Sequence, residues 1–572
     1  MPLQTCTLGT HAALEDTIAK LQQKFSDAGF NIVEHSYSNP VNNIWALQIS
    51  DRDCSLLTCT GKGTSKKTAL ANALKKFIGY LSTHFFWAGC YFGDEISNNK
   101  FMHCSNEQWF KTVTNDSWPL DVLNGELCEF YNPNNNLNPS RLIDVNSANT
   151  ERGIHCISHE CLRTGETINF PTNIISNLYD SNGIGVGNST EEARIQALTK
   201  IIEHYVKFKV IAEGASLPNL PDKVLNRYPK LQAIIEEIKS IGFEILSFDA
   251  SLNGKYPVVA LALLDPSNQG VRVSFGAHSS FEIALERSLT DLLPDKELDQ
   301  KNNFHQAGFD SDEIASPLNL EKHFTDSNGI IAWDFLSEQT VYEFVDWDKQ
   351  DTKENITDDL NHLCNLIHTA GNDIYVSDYT LNNTELDIHV CRIIIPGLSE
   401  VYPIDDLIWE NNNAGMNIRD DILKPNKTIE DCEQLVERLE ELNQDDQCLV
   451  STLISMPADS DSIFKDLCIA ELILLLALKT QDNERIQENC EWLLDFKNFN
   501  AHRLKVYQCI NTILQLDGMA NYSNALKKLY TREILSDALA LIDGEDVFPL
   551  KSEWKTQRSV VDAYKKLISI QT

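Results

Sequence analysis

The chain has 572 residues, which is too many for one hydrophobic core and predicts about two to four domains. Apolar residues make up 42% and charged residues 23%, the balance of a globular protein rather than a disordered one. With 83 acidic against 48 basic residues the net charge is −35, so most of this acidic surface repels phosphates and we expect no direct binding of nucleic acid.

The sequence does not indicate export or membrane insertion. The amino-terminal residues lack a basic region followed by an apolar run, so we expect no signal peptide. The longest apolar stretch, Leu467 to Leu478, contains Glu471 and is shorter than the ~20 residues that cross a bilayer, which predicts a buried helix. The 15 cysteines lack the spacing of a disulfide framework and favour reduced thiols in a cytoplasmic protein.

The chain up to Pro403 alternates strand-like runs with amphipathic helices. The predicted strands are 43–49, 54–60, 256–264, 271–275, 373–379 and 388–395, and helices 65–83 and 280–293 follow the first two pairs. Strand pairs that lead into helices predict an α+β or α/β body, assigned to residues 1–403. Segments 132–139 and 295–312 predict loops.

Residues 404–572 show helical periodicity only. Leu435, Val436, Leu439 and Leu442 repeat at helical spacing, and we expect helices of about 12 to 17 residues, separated by short polar turns, almost to the end. This all-α region resembles a tetratricopeptide-like domain, although the Trp, Gly and Pro signature of that repeat is not matched. A plain helical bundle is the alternative.

A glycine-containing turn, Gly61 to Lys67 (GKGTSKK), joins a predicted strand to a helix. Free backbone N–H groups and the positive end of the helix dipole at such a turn suit a phosphate. The spacing is not that of a Walker A loop. A simple capped helix start is the other interpretation.

A second glycine-rich segment, Gly183 to Asn188, precedes a predicted helix, 190–209. It departs from G-x-G-x-x-G, so a Rossmann site is not expected, and Asn188 and Ser189 are candidate helix caps. Within this helix four polar residues share one stripe, which by itself favours a solvated face. They are Glu192, Gln196, Lys200 and Glu203.

The segment 155–161 (HCISHEC) places two histidines and two cysteines within seven residues. Zinc sites pair two such clusters at defined spacing, and no second cluster is evident, so metal binding is not favoured here. A G-x-S-x-G nucleophile elbow is absent, and no cysteine has a recognisable catalytic context. The catalytic residues remain unknown at this point.

Several segments, in their order and intervals, together resemble the YcaO family in its form with a helical C-terminal extension. The resemblance covers nearly the whole chain. The matching segments are AALED from Ala12, GKGTSKKTALANAL from Gly61, LSTHFFWAGCYFG from Leu81, NIISNLYDSNGIGVGN from Asn173, SLPNLP from Ser216, SFGAH from Ser274, ALERSLTDLL from Ala284, FVDWD from Phe344 and CRIIIPG from Cys391.

The resemblance implies an ATP site unlike that of kinases, with Mg²⁺ held by carboxylates. Family members of known activity phosphorylate a peptide amide oxygen, which turns a poor leaving group into a good one. An accessory-factor subgroup is associated with β-methylthiolation of an aspartate on a small-subunit ribosomal protein. The resemblance assigns ATP contacts to Thr17, Asn188, Glu192, Gln196, Glu203 and Arg287, and metal contacts to Glu203 and Asp291.

This chain departs from the family at the metal and phosphate positions. Where the first helix normally carries E-x-x-E-R, the chain has Lys76, Gly79 and Tyr80. The second helix has Lys200, Glu203 and His204 at the same motif, and Thr10 stands where a lysine is expected. Two of five expected carboxylates remain, which predicts a weakened Mg·ATP site.

Three functional hypotheses follow. The first is an accessory factor for ribosomal-protein modification with a rewired ATP site. The second is a catalytically inactive YcaO pseudoenzyme that serves as a protein- or peptide-binding scaffold or regulator. The third makes the helical C-terminal domain an adaptor supported by the body. The expected partner is a protein or peptide, such as a ribosomal protein or a modification enzyme, with homo-oligomerisation also expected. The chain does not end in the proline-rich segment of azoline-forming relatives, which disfavours peptide cyclodehydration.

Overall fold

The computed structural model describes residues 13–93, 96, 106–111, 118–119, 121–135, 138–144, 149–293, 304–347, 356–379, 388–405, 415–495 and 500–571. Thr10 and parts of the two predicted loops, 136–137 and 295–303, lie outside the described residues. Within the described part of the chain, no helix combines the length and hydropathy that crossing a bilayer requires.

Twelve strands form three antiparallel sheets in the described part of the body. In chain order they are β1 (Ile32–Val41), β2 (Ile44–Asp51), β3 (Thr58–Gly63), β4 (Glu107–Phe110), β5 (Ile154–Cys161), β6 (Thr167–Pro171), β7 (Ile184–Gly187), β8 (Glu244–Asp249), β9 (Val258–Asp265), β10 (Gly270–Ala277), β11 (Tyr375–Asp378) and β12 (His389–Ile394).

The sheets differ in size and in the sequence separation of their strands. Two are three-stranded, in the orders β1-β2-β3 and β10-β9-β8, and each is built from neighbours in sequence. The third runs β4-β5-β11-β12-β7, with β6 also paired to β5, so it joins strands from distant parts of the chain. In its register Val390 of β12 pairs with Val186 of β7.

Helices alternate with these strands in the body, and in the described part of the C-terminal region helices follow one another without strands. Those of the body are α1 (Leu14–Asp27), α2 (Lys66–Ser82), α3 (Gly125–Tyr131), α4 (Thr172–Tyr179), α5 (Thr190–Ala212), α6 (Asp222–Leu225), α7 (Pro229–Ser240), α8 (Phe281–Leu292), α9 (Ser311–Ala315), α10 (Pro317–Asp326) and α11 (Ile356–Thr369). Those of the C-terminal region are α12 (Arg419–Leu423), α13 (Ile429–Glu441), α14 (Val450–Leu453), α15 (Ile469–Thr480), α16 (Asn483–Asp495), α17 (Ala501–Gln515), α18 (Ser523–Leu529), α19 (Arg532–Ile542) and α20 (Lys555–Gln571).

Three strand-to-helix units share one construction: β3 leads into α2, β7 into α5, and β10 into α8. In each strand a glycine lies directly against the backbone of the helix that follows. A Cβ at Gly61 would lie 2.2 Å from Ala73 N, one at Gly185 2.0 Å from Ala193 O, and one at Gly276 2.2 Å from Ala284 O. Any side chain would push each helix off its strand, so these glycines set the helix positions.

The structure confirms the mixed α/β body and the helical C-terminal region. It corrects the predicted strand 54–60, because the strand is Thr58–Gly63. Cys54 N donates to Asp51 Oδ2 at 3.1 Å, so the preceding residues form a side-chain-stabilised turn. Three C-terminal helices, α12, α14 and α18, have 5, 4 and 7 residues and are shorter than predicted. The tetratricopeptide-like arrangement and the boundary at residue 403 stay predictions.

The apolar stretch from Leu467 forms the buried helix α15, as predicted. Glu471 lies inside this helix with only 1% of its surface exposed. Its carboxylate accepts hydrogen bonds from Arg503 Nε at 2.8 Å and from Tyr507 Oη at 2.6 Å. These two partners compensate for the cost of burying the carboxylate of Glu471 in the C-terminal core.

Candidate functional site

Polar side chains of α2 and α8 contact polar side chains of α5, and we call the region of these three helices the cleft. Lys75 Nζ of α2 lies 2.9 Å from Glu192 Oε1 of α5. Arg287 Nη2 of α8 donates to Gln196 Oε1 of α5 at 2.7 Å. Lys62 Nζ, at the end of β3, donates to Leu293 O beyond α8 at 2.8 Å. Direct contacts thus join α5 to α2 and to α8, and the end of β3 to the residue that follows α8.

The start of α5 forms the first wall of the cleft. Ser189 caps the helix, since its hydroxyl accepts from Glu192 N at 3.1 Å. Asn188 is not a second cap, which corrects that prediction: its Nδ2 donates to Glu192 Oε2 at 3.1 Å and its Oδ1 accepts from Thr17 Oγ1 at 3.1 Å. Glu192 is 2% exposed, and Lys75 balances its charge. The structure thereby brings together Thr17, Asn188 and Glu192.

The middle of α5 meets Arg287 of α8. Besides Gln196, Arg287 Nη1 donates to Thr199 Oγ1 at 3.1 Å and to Ala277 O at 2.9 Å. Three acceptors therefore fix this guanidinium in place. Gln196 and Arg287, both assigned to the nucleotide by the resemblance, form one hydrogen-bonded unit.

Glu203 lies one turn further along α5, facing α8. It accepts a hydrogen bond from Ala277 N at 3.3 Å. Burial, and then the nearby carboxylate of Asp291, raises the pKa of Glu203 to about 7. Asp291 is exposed at the mouth of the cleft. On the far side Lys207 Nζ is buried, donating to His323 O at 2.9 Å and Ser327 Oγ at 3.1 Å.

A cluster of cations faces these two carboxylates. Lys200 Nζ donates to Ser181 O at 3.0 Å, and burial together with the charge of Lys76 lowers the pKa of Lys200 to about 8. Lys76 Nζ lies 5.5 Å from the ring centroid of Tyr80. Lys76 is exposed whereas Lys200 is half-buried, so positive charge near the two carboxylates lies both at the surface and below it.

Gly79 on α2 is buried against β7. A Cβ at this position would lie 3.0 Å from Val186 Cγ2 and 3.1 Å from Ile184 Cγ2. These contacts are tighter than ordinary van der Waals packing, so a larger side chain requires both neighbours to move. The strand side chains fill the space that a carboxylate at this position would need.

The structure overturns the solvated-face interpretation of the α5 stripe. Glu192 is buried, and Gln196, Lys200 and Glu203 are half-buried with tertiary partners. Four further residues of the cleft were missed, because only the tertiary fold brings them to it. They are Lys75, Ser181, Thr199 and Lys207. A lysine within an apolar helix face, as at Lys207, is the one sequence signal that pointed to a buried cation.

The other two candidate segments are structural in the described chain. Ser65 caps α2 by accepting from Thr68 N at 3.1 Å, so the turn after Gly61 is a capped helix start. Segment 155–161 lies in β5, where alternate side chains point to opposite faces. Among the residues that the structure describes, no group of three or more His, Cys, Asp or Glu side chains is arranged to hold a metal ion.

Comparisons with known proteins agree on one family. A model described as YcaO cyclodehydratase, ATP- and Mg²⁺-binding, matches residues 60–399, and a YcaO cyclodehydratase C-terminal domain matches 415–570. An uncharacterised protein of Haemophilus influenzae is 40% identical over 99% of this chain and 98% of its own length. The Escherichia coli protein named ribosomal protein S12 methylthiotransferase accessory factor YcaO is 39% identical over 99% of this chain and 98% of its own.

Among solved structures the chain is similar to a heterocyclase in complex with substrate and cofactor, at 16% identity and a TM-score of 0.44, covering 70% of this chain and 55% of that one. It is also similar to YcaO from Methanopyrus kandleri bound with AMPPCP and Mg²⁺, at 16% identity and a TM-score of 0.42, covering 68% and 92%. The family models span most of the described body and the helical region, and the curated relatives match end to end. The chain belongs to the YcaO family.

Proposed function

We propose that this protein is an accessory factor for the modification of a small-subunit ribosomal protein. The observation that carries the proposal is the 39% identity over 99% of the chain to the relative named for S12 methylthiolation. A likeness that extends through both the body and the helical region favours a shared role over a shared fold alone. The expected partner is accordingly a protein, either the ribosomal protein or the enzyme that modifies it.

The family cofactors are ATP and Mg²⁺, and the donor set of this cleft fits them poorly. Mg²⁺ binds through carboxylates and other oxygens in octahedral geometry. The cleft offers Glu203 and Asp291, whereas Lys76 and Lys200 stand at two positions to which the family resemblance assigns carboxylates. A cation at a metal-ligand position repels the ion that it should hold. We therefore propose that Mg·ATP binding is weakened in this chain.

A second candidate function follows from the same charges. A YcaO fold with a cationic cleft can act as a pseudoenzyme, that is, as a scaffold or regulator that binds a protein or peptide without phosphorylating an amide. The observation that favours it is that the helices of the cleft are joined by direct side-chain contacts. These include the hydrogen bond from Arg287 to Gln196 and the ion pair of Lys75 with Glu192, and neither needs a metal ion. The helical region, assigned to residues 404–572, then serves as a further binding surface.

The protein role is tested in Escherichia coli cells that lack the named relative. We expect expression of this chain to restore the methylthio group on ribosomal protein S12, measured by mass spectrometry of the purified protein. The same strain carrying an empty vector is the control. Failure to restore it while the chain is well expressed and folded contradicts the accessory-factor proposal. Localisation in the cytoplasm and homo-oligomerisation are part of the proposal and are checked by fractionation and by light scattering.

The cleft is tested by calorimetric titration of the purified protein with ATP, with and without magnesium. Binding in the micromolar range that depends on magnesium contradicts both the weakened site and the pseudoenzyme. Absence of binding at about millimolar nucleotide, together with restored S12 modification, supports an accessory role without phosphoryl transfer.

A further inference from the structure

A second cavity lies behind the cleft, between the end of α2, α4 and the strands β5 and β12. Its volume is about 110 Å³, which is of the order of the ~150 Å³ cavity that accepts a benzene molecule in an engineered protein. Aromatic and polar side chains both line it. The aromatic residues are Phe85, Trp87, Phe92 and Tyr379, and the charged or titratable polar residues are Arg392, Asp144, Asp180, His84 and His155, with Asn173 among the neutral ones.

The two polar side chains are buried with unused hydrogen-bonding capacity. Asn173 is 1% exposed, and among the described residues neither its Nδ2 nor its Oδ1 has a hydrogen-bond partner. Arg392 is 3% exposed; one Nη donates to Asp180 O, but its Nε has no partner within the described chain. Folded proteins leave few buried polar groups unsatisfied, and two at one cavity make it a candidate ligand site.

The unpaired atoms of Asn173 and Arg392 define which hydrogen-bond donors and acceptors a ligand must have. Asn173 needs both an acceptor for Nδ2 and a donor for Oδ1, and Arg392 Nε needs a second acceptor. A carboxylate supplies acceptors only. Asp144 and Asp180 also line the cavity, and their carboxylates disfavour the binding of a further negative charge. A neutral amide supplies a donor and an acceptor side by side, and the aromatic wall covers its apolar neighbours.

We infer that this cavity binds an amide group of a polypeptide, held by Asn173 with Arg392 as the second donor. The cavity adjoins the cleft through the segment Asp180–Ser181: Asp180 lines the cavity, whereas Ser181 O accepts from Lys200 in the cleft. Asp180 has a φ of +46°, a strained backbone for a residue other than glycine, at this shared wall. The amide chemistry stands on the cavity alone, and the polypeptide source rests on the proposed function.

The C-terminal helix supports the aromatic wall of the cavity. Trp87 Nε1 donates to Val560 O at 3.0 Å, and Phe92 stacks on Tyr564 with ring centroids 4.1 Å apart. Both partners belong to α20. The position of this helix therefore sets the shape of the cavity, which connects the helical region to polypeptide binding in the body.

The variant Asn173→Leu tests the inference, because leucine has nearly the shape of asparagine without its polar atoms. The probes are benzamide and its carboxylate counterpart benzoate, followed by ligand-detected NMR on the full chain. We expect saturable benzamide binding in the wild type, at least tenfold weaker benzoate binding, and loss of benzamide binding in Asn173→Leu. Ser176→Ala, which alters another lining residue, is the matched control and should keep benzamide binding.

Thermal melting of the same variant separates a ligand site from a hydrated cavity. Because the wild-type amide is unpaired, Asn173→Leu should melt at the same temperature or higher without ligand. A lower melting temperature together with no benzamide binding means that water alone satisfies Asn173, which overturns the inference. Displacement of benzamide by a blocked peptide with an asparagine residue supports a polypeptide source, and no displacement by such peptides overturns it. Either result is independent of S12 modification and of ATP binding.

Discussion

Restoring carboxylates to the cleft is the most direct test of why Mg·ATP binding should be weak. The charge-reversal variant is Lys76→Glu with Lys200→Glu. The structure shows that a third change, Gly79→Glu, needs Val186→Ala as well, because a Cβ at Gly79 would lie 3.0 Å from Val186 Cγ2. The fourfold variant therefore removes one of the two side chains that a glutamate at position 79 would meet, and Ile184, at 3.1 Å from that Cβ, must still shift by a few tenths of an ångström.

The expected gain follows from Coulomb's law. One unit-charge contact at ~4 Å is worth about 4 kcal/mol at a surface-like effective dielectric constant of about 20. Lys76 and the mouth of the cleft are open to water, so we take about 2–3 kcal/mol for the whole exchange. This corresponds to a gain of roughly 30- to 150-fold in affinity for ATP with magnesium. Without magnesium the same variant should bind ATP more weakly than the wild type, since the new carboxylates repel phosphate.

The assay is calorimetry of wild type and variants at equal ionic strength. Lys527→Glu with Lys528→Glu makes the same change in net charge as the double reversal, but on the exposed helix α18, and should leave ATP binding unchanged. Val186→Ala alone controls for loosened packing. A fourfold variant that folds, melts normally and shows no magnesium-dependent gain would refute the assignment of the metal position to these helices.

Three further predictions concern stability. Glu471→Ala should lower the free energy of unfolding by about 3 kcal/mol or more in urea titrations, because it leaves Arg503 buried beside a lost carboxylate, whereas exposed Glu488→Gln should change it little. Ser189→Ala should cost about 1 kcal/mol, while Ser280→Ala, whose side chain makes no cap hydrogen bond, should cost less; equal losses would contradict the cap assignment. Burial lowers the pKa of four histidines below the ordinary 6.5, so below that pH the unfolded chain binds more protons than the folded chain. The free energy of unfolding should therefore fall as the pH drops from about 6.5 towards 4. An equal urea midpoint at about pH 7.5 and 5.5 would contradict this. The four histidines are His159, His204, His278 and His323.

The elements could be predicted from local sequence wherever one periodicity dominates. The helix predicted at 65–83 is observed at Lys66–Ser82, since Ser65 caps it and its apolar face repeats at helical spacing. The strand prediction for residues 54–60 was wrong at its start. The composition there is strand-like, but the first residues form a turn that is stabilised by Asp51, which precedes the segment. No strand was predicted within Gly183–Asn188, yet Ile184–Gly187 form strand β7, because they pair with β12, a strand from a distant part of the sequence.

Part of the residue set of the cleft could be named from the sequence, but not its arrangement. The resemblance named Thr17, Asn188, Gln196 and Arg287, and the structure shows two hydrogen-bonded pairs, Thr17 with Asn188 and Arg287 with Gln196. Their contact with a nucleotide stays a prediction. Lys75 was not recognisable, because nothing in its neighbourhood distinguishes a lysine that pairs with a buried glutamate from one in solvent. The cavity behind the cleft was equally hidden: Asn173 and Arg392 lie in segments that are far apart in the sequence and meet only in the tertiary fold.

The cleft and the cavity differ in the contacts that stabilise them, and this affects which of their residues can be substituted. The three helices of the cleft are positioned by glycine contacts such as Gly61 on Ala73 and by the hydrogen bond from Arg287 to Gln196. These contacts do not involve the side chains of Lys76, Lys200 or Asp291, so we expect exchanges at those three positions to leave the body folded. The cavity is different, since its unpaired Asn173 lowers stability in the absence of a partner. A buried polar group that stabilises nothing within the chain is retained at a cost, and an amide ligand supplies the reason that the fold alone does not.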